Sequence, residues 1–148
     1  MRNIWLACSA WVVLSACGPR PATVGVDPHN TALVQQGQSL YQSHCARCHG
    51  ANLEGQPAWR IRKPDGRLPA PPHDGNGHTW HHPTATLVEI VKFGLVPPNA
   101  PEGYVSDMPA FRNSLDDAQI AAVLSFIQSR WNEEVRAFRH DNKLDVPS

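Results

Sequence analysis

Cys45-Ala46-Arg47-Cys48-His49 decides how the rest of the chain is read. Two thiols two residues apart can add across the two vinyl groups of one haem. The adjacent His is then held under the iron, where an imidazole nitrogen serves as the proximal ligand. A bare C-x-x-C would also suit a redox-active pair or half of a zinc site. The His that follows directly, and the lack of any Cys after Cys48 to complete a zinc set, favour covalent haem.

Toward the N-terminus there are two further cysteines, Cys8 and Cys17. Residues 1–16 read as an export signal: Arg2 is the positive start, and Ile4 to Leu14 is an uncharged apolar run. That run falls short of the roughly 20 residues a membrane-spanning helix needs. Leu14-Ser15-Ala16-Cys17 then resembles the lipobox of bacterial lipoproteins, in which the Cys is lipidated and becomes the first mature residue. Cys8 would leave with the signal. Export agrees with the haem motif, because covalent attachment of this type takes place outside the bacterial cytoplasm. No cysteine pair is left for a disulfide, so haem is expected to do the stapling that disulfides do in other small exported proteins. Residues 17–30, rich in Pro and Gly, read as a tether between lipid and domain. The expected layout is therefore signal 1–16, tether 17–30, haem domain 31–138 and C-terminal tail 139–148. The domain would sit in the periplasm, anchored through Cys17. Gly18 is not the Asp that often marks retention at the inner membrane, which leaves inner and outer membrane both open.

The 148 residues suit one domain. A formal net charge of zero provides no broad basic field for nucleic acid. Fourteen Pro and ten Gly predict long ordered loops, while 41% hydrophobic residues and five Trp exclude disorder throughout.

Three helices are predicted. The first runs from Thr31, as N-cap, to Cys45, with Leu33, Gly37, Leu40, Tyr41 and His44 on one face. Gly37 is costly inside a helix and marks a close crossing, with Tyr41 packed beside it. A second helix spans Thr84 to Phe93, with Pro83 and Thr84 at its start, Gly94 past its end, and Leu87, Ile90 and Val91 buried. The last begins at a capping Ser114 with Asp117 three residues on. It carries Leu115, Ala118, Ala122, Leu124, Phe126, Ile127 and Trp131 through about Val135, and is the natural partner of the Gly37 face. The chain from His140 is expected to fray.

Between the first two helices lies an irregular excursion. Arg60, Arg62, Lys63 and Arg67 could pair with haem carboxylates or form a solvated face. Pro69, Pro71 and Pro72 make a stiff stretch, and the carbonyl of Pro71 or Pro72 is placed to accept the proximal His Nδ1–H. In Asp107-Met108-Pro109-Ala110-Phe111 the Met is the sole one besides the initiator, and its thioether is the candidate sixth ligand. Such ligation favours ferrous iron and raises the potential. His73, His78, His81 and His82 are rivals, since imidazole also binds haem iron. His78, His81 and His82 could instead hold copper or zinc, although adjacent His81 and His82 diverge on regular backbone and Pro83 favours extension before it. Otherwise His73 and His29 read as solvated. Phe111, Trp80, Tyr41 and Leu87 are candidates for an apolar wall around the haem.

Gly37-x-x-Leu40-Tyr41 ahead of Cys45-x-x-Cys48-His49-Gly50, then Met108-Pro109-Ala110-Phe111 and an aromatic-bearing last helix, together resemble a class I cytochrome c over roughly residues 31–135. The resemblance implies an all-α fold with crossing N- and C-terminal helices and a haem crevice. It implies one covalent haem c on Cys45 and Cys48, with His49 proximal and Met108 distal to the iron. It further implies one-electron exchange with membrane or periplasmic redox proteins rather than an enzymatic reaction. The long stretch 51–82 departs from the pattern. Two readings compete: a peroxidase-like haem enzyme with a labile sixth ligand, and a periplasmic copper-handling protein using His78, His81 and His82.

Overall fold

A computed structural model describes residues 25–145. The expected signal and the lipidation at Cys17 lie outside the described residues. The described chain is all-α, with helices α1 Thr31–His44, α2 Ala46–His49, α3 Thr84–Phe93, α4 Asp117–Ser129 and α5 Glu133–Asp141, and a single 3-10 turn at Thr79–His81.

The N-cap of α1 lies one residue earlier than expected. Asn30, in extended backbone, accepts a hydrogen bond from the Leu33 amide at 3.1 Å, and Thr31 is already helical. An amide side chain at that position satisfies an orphan helix donor and leaves nothing for the Thr hydroxyl to cap. Leu33, Gly37 and Tyr41 are the buried face, and they lie on α4. A Cβ on Gly37 would sit 1.9 Å from the Ala122 carbonyl oxygen, so the two backbones touch at the crossing. One turn further on, the buried Tyr41 ring packs 5.3 Å from that of Phe126.

α4 is the central element: every residue from Ile120 to Gln128 is buried. It starts at Asp117 rather than Ser114. Asp116 accepts from the Gln119 amide at 2.8 Å, and the Gln119 side chain returns a bond from the Asp116 amide at 2.9 Å. This reciprocal box satisfies two donors at once. Ser114 instead closes a turn on the Phe111 carbonyl, and the Asp117 carboxylate reaches out to Lys92 at 2.5 Å. The helix was expected to continue to about Val135. It ends at Ser129, and Asn132 caps a new helix by accepting from the Val135 amide at 2.9 Å.

The C-terminal segment does not fray at His140. α5 runs to Asp141, and Arg139 is only 1% exposed. Its guanidinium donates to the carbonyls of Trp80 and His82, both at 2.8 Å, to Thr84 Oγ1 at 2.9 Å and to the Asp145 carboxylate. The Thr84 amide donates to the Leu144 carbonyl at 2.8 Å. At the other end, the stretch expected to be free tether as far as Asn30 docks from Val26 onward. Val26 packs on the core, and the Asp27 amide donates to Ser125 Oγ at 2.9 Å. No described helix is long and apolar enough to cross a membrane.

Candidate haem site

α1 ends at Cys45, and the chain tightens at once into the single turn of α2, which carries Cys48 and His49. Cys45, Cys48 and His49 all line a cavity of about 670 Å³, and Met108, far along the chain, lines it too. The two thiols are free. Burial, aided by the neighbouring Cys48, pushes the Cys45 thiol up to about 11, so it stays protonated at neutral pH.

His49 is buried, and its Nδ1 lies 2.8 Å from the Pro71 carbonyl oxygen. A carbonyl only accepts, so Nδ1 must carry the proton and Nε2 presents a lone pair. Burial lowers the pKa of this ring, and the bond to Pro71 opposes that in part. The neutral, ligating form is therefore the resident one. Of the two prolines considered as acceptor, Pro71 is the one in place. Gly55 makes that possible. Its φ of 69° is left-handed, and a Cβ there would sit 2.4 Å from the Pro72 nitrogen. Its amide also donates to the His49 carbonyl at 2.7 Å, so the proline run lies directly against the haem motif.

His73 is not solvated, contrary to expectation. Its ring stacks on His49 with centroids 3.9 Å apart and planes 22° apart. Nδ1 meets Thr79 Oγ1 at 2.9 Å, and the backbone is pinned from both sides: its amide donates to the Leu53 carbonyl and its carbonyl accepts from Trp131 Nε1, each at 2.8 Å. Burial, followed by the nearby His49 and His78, holds its pKa well below the ordinary imidazole value. Stacked on His49, it does not face that ring from across the cavity, as the expected rival to Met108 would. The signal for it in the sequence is spacing, because residues 71 and 73 share a side of an extended stretch. His29 is exposed, as expected.

The His78/His81/His82 trio does not converge. His78 stacks on Trp59, with centroids 5.4 Å apart, and meets His82 edge-on at 5.4 Å. His81 turns away to stack on Trp80 at 3.6 Å and to touch Phe138. Among the described residues no group of three or more His, Cys, Asp or Glu could hold a metal ion. The apolar wall needs a matching correction. Leu87 and Phe111 line the cavity. Trp80 does not: it lies outside, with its Nε1 donating to the Gly75 carbonyl. Tyr41 is spent in the helix crossing, its hydroxyl donating to the Gly50 carbonyl at 2.9 Å. Trp59, which the sequence reading passed over, is a wall residue, with Arg60 over its ring at 4.2 Å.

The basic cluster is largely occupied by protein groups. Lys63 and Arg67 both reach Asp107, and Arg62 donates to the Gly66 carbonyl. The Lys63 hydrogen bond is the main cause holding the Asp107 carboxyl below its ordinary value, and the same bond raises Lys63.

Residues 34–131, which contain the haem motif, the wall residues and Met108, match the family model for Cytochrome c. The chain belongs to the cytochrome c family. Among curated relatives, this cytochrome c is 27% identical over 100 residues to the Cbb3-type cytochrome c oxidase subunit CcoP of Azospirillum brasilense, covering 68% of this chain and 29% of that one. It is 31% identical over 96 residues to the CcoP of Azospirillum sp. (strain B510), covering 65% of this chain and 28% of the relative. A cytochrome bc1 complex cytochrome c subunit of Mycobacterium bovis is 41% identical over 39 residues, covering 26% of this chain and 14% of the relative. The chain thus spans under a third of the length of these relatives. No solved structure matches it.

The family binds covalent c-type haem, and Cys45 and Cys48 stand at its C-x-x-C-H spacing. The residues present fit that group. Two free thiols, an imidazole with a free Nε2 and a thioether share one cavity, whose walls include Leu87, Phe111, Val123, Leu124 and Ile127.

Proposed function

We propose that this cytochrome c is a one-electron carrier of class I, with Cys45 and Cys48 as the covalent attachment points, His49 as proximal ligand and Met108 as distal ligand. The observation that carries the reading is that all four side chains line a single cavity. Bound there, haem supplies a reversible one-electron couple. The protein's part is to hold that couple still. Pro71 fixes the tautomer and orientation of His49. Leu87, Phe111 and the α4 side chains exclude water and lower the local dielectric. A thioether at the sixth position would favour the reduced form. Met108 in the cavity supports a carrier over a haem enzyme, which needs an open or weakly held sixth position and a distal acid–base group.

The partners in this proposal are respiratory redox proteins, since the relatives are named as subunits of a cbb3-type oxidase and a bc1 complex. The location is the periplasmic face of a membrane, with lipid on Cys17. An anchored carrier searches a thin shell near its partners rather than the whole compartment.

Two measurements test this. A mediated potentiometric titration should follow a reversible one-electron curve, and added peroxide should not be turned over. Sustained peroxide turnover would move the protein to the enzyme class. Separately, Cys17→Ser should release soluble, haem-loaded protein. Its retention on membranes after a salt wash would place the anchor elsewhere.

A further inference from the structure

The segment carrying Met108 has few ties of its own. Among the described residues, no backbone–backbone hydrogen bond joins residues 101–110 to another element. Tyr104 bonds only to Pro101, and the next link is Phe111 to Val91. What reaches this segment is a cluster of ions from the 51–82 excursion. Lys63 Nζ lies 2.6 Å from Asp107 Oδ2 and Arg67 Nη1 lies 2.7 Å from Oδ1, so each carboxylate oxygen has its own cation. Asp107 directly precedes Met108, and Lys63, Asp107 and Met108 line the same cavity.

The two cations come from one self-closed turn. The Gly66 amide donates to the Lys63 carbonyl and the Lys63 amide to the Arg67 carbonyl, both at 2.8 Å. Asp65 accepts from the Arg67 amide at 3.0 Å, and Arg62 donates to the Gly66 carbonyl at 2.7 Å. Arg62 also lies over the Tyr104 ring at 5.7 Å, a further tie to the same segment. A single exposed ion pair contributes little, largely because two long side chains must be ordered to form it. Here one closed turn carries both cations, so their backbone positions are fixed together, and the carboxylate is shared.

We propose that Lys63, Arg67 and Asp107 form a latch that holds the Met108 segment closed over the cavity and sets how readily a small molecule enters on that side. The latch rests on the reading of Met108 as the group facing the iron. It makes the excursion that departs from the family pattern the positioning device for the distal ligand.

The test is imidazole binding to the oxidised, haem-loaded protein, followed by stopped-flow absorbance, together with amide hydrogen exchange of Tyr104 and Met108. Asp107→Asn should bind imidazole about tenfold faster, the scale of two surface pairs acting together. The Lys63→Met/Arg67→Met double variant should do the same, and both should speed exchange at the two amides. Salt should accelerate the parent protein and leave Asp107→Asn unmoved, because exposed pairs are screened. The proposal is overturned if Asp107→Asn binds at the parent rate, or if it binds faster while the double variant does not. The ligand assignment fails separately. If Met108→Ala left the oxidised spectrum unchanged while the latch variants still sped amide exchange, the latch would stand and the thioether ligation would not.

Discussion

The Pro71 carbonyl settles the tautomer of His49: an acceptor on Nδ1 puts the proton of the neutral ring there and leaves the lone pair on Nε2, and burial favours that neutral ring. That contact was legible in the sequence to within one residue, because a proline run offers rigid carbonyls and a ligating His requires one. The gathering of Cys45, Cys48, His49 and Met108 at one cavity was legible for a related reason. Their chemistry is local to short motifs. His73 was not, because its burial is decided by Leu53 and Trp131, which grip its backbone from distant parts of the chain. Arg139 was missed on the same grounds: its partners Trp80, His82 and Thr84 are gathered only by the fold. Its replacement leaves buried carbonyls without a donor. Arg139→Met should therefore destabilise the haem-loaded protein by about 2–4 kcal/mol in denaturant unfolding, with little change in the absorption spectrum. A loss under half a kcal/mol would mean that water replaces the guanidinium.

At the scale of elements, the α1–α4 crossing follows from one missing side chain. Gly37→Ala would drive a methyl into the Ala122 carbonyl, 1.9 Å away, so the helices must part. The expected cost is at least about 1–3 kcal/mol, the usual range for overpacking a filled contact. It should appear as a lower denaturation midpoint with the haem retained, and an unchanged midpoint would show that the crossing is looser than described. α3 matched its expected ends because Pro83 and Gly94 are strong stop signals of different kinds. The start of α4 was misplaced because Ser114 and Asp116 are both good caps. The choice falls to Gln119, which can answer Asp116 but stands at the wrong distance for Ser114. The break between α4 and α5 was hidden by apolar residues on both sides of it. It is Asn132 that restarts the helix.

At the scale of the molecule, the cavity lies between the helices, the 51–82 excursion and the segment that carries Met108, and its walls include Leu87, Phe111, Val123, Leu124 and Ile127, most of them also part of the hydrophobic core. On the proposed reading, haem completes that core. Cys45→Ala combined with Cys48→Ala should yield little folded protein, and a cooperatively melting haem-free chain would contradict this. Acid should loosen the loaded protein from the excursion side. His78 and His82 have pKa values lowered from 6.5 by burial first, then by neighbouring positive charge from His82, His81 and Arg60 on His78, and from His81 and Arg139 on His82. A depressed folded value means that the unfolded chain binds more protons. Their contribution is thus present above about 6.5 and is lost as pH falls through the folded values. The melting midpoint should drop below that pH, and the His78→Gln/His82→Gln variant should flatten the slope. An equal slope in both proteins would assign the acid limb to other groups.

The central claim is that His49 and Met108 share one haem iron. The most direct test is the visible spectrum of the purified protein, oxidised and reduced, beside that of Met108→Ala. The account predicts a six-coordinate, low-spin parent whose oxidised form shows the weak long-wavelength band of a thioether on iron. In Met108→Ala that band should vanish and the potential should fall. An oxidised spectrum and a potential that are the same in both proteins would contradict it, and would give the sixth position to another side chain.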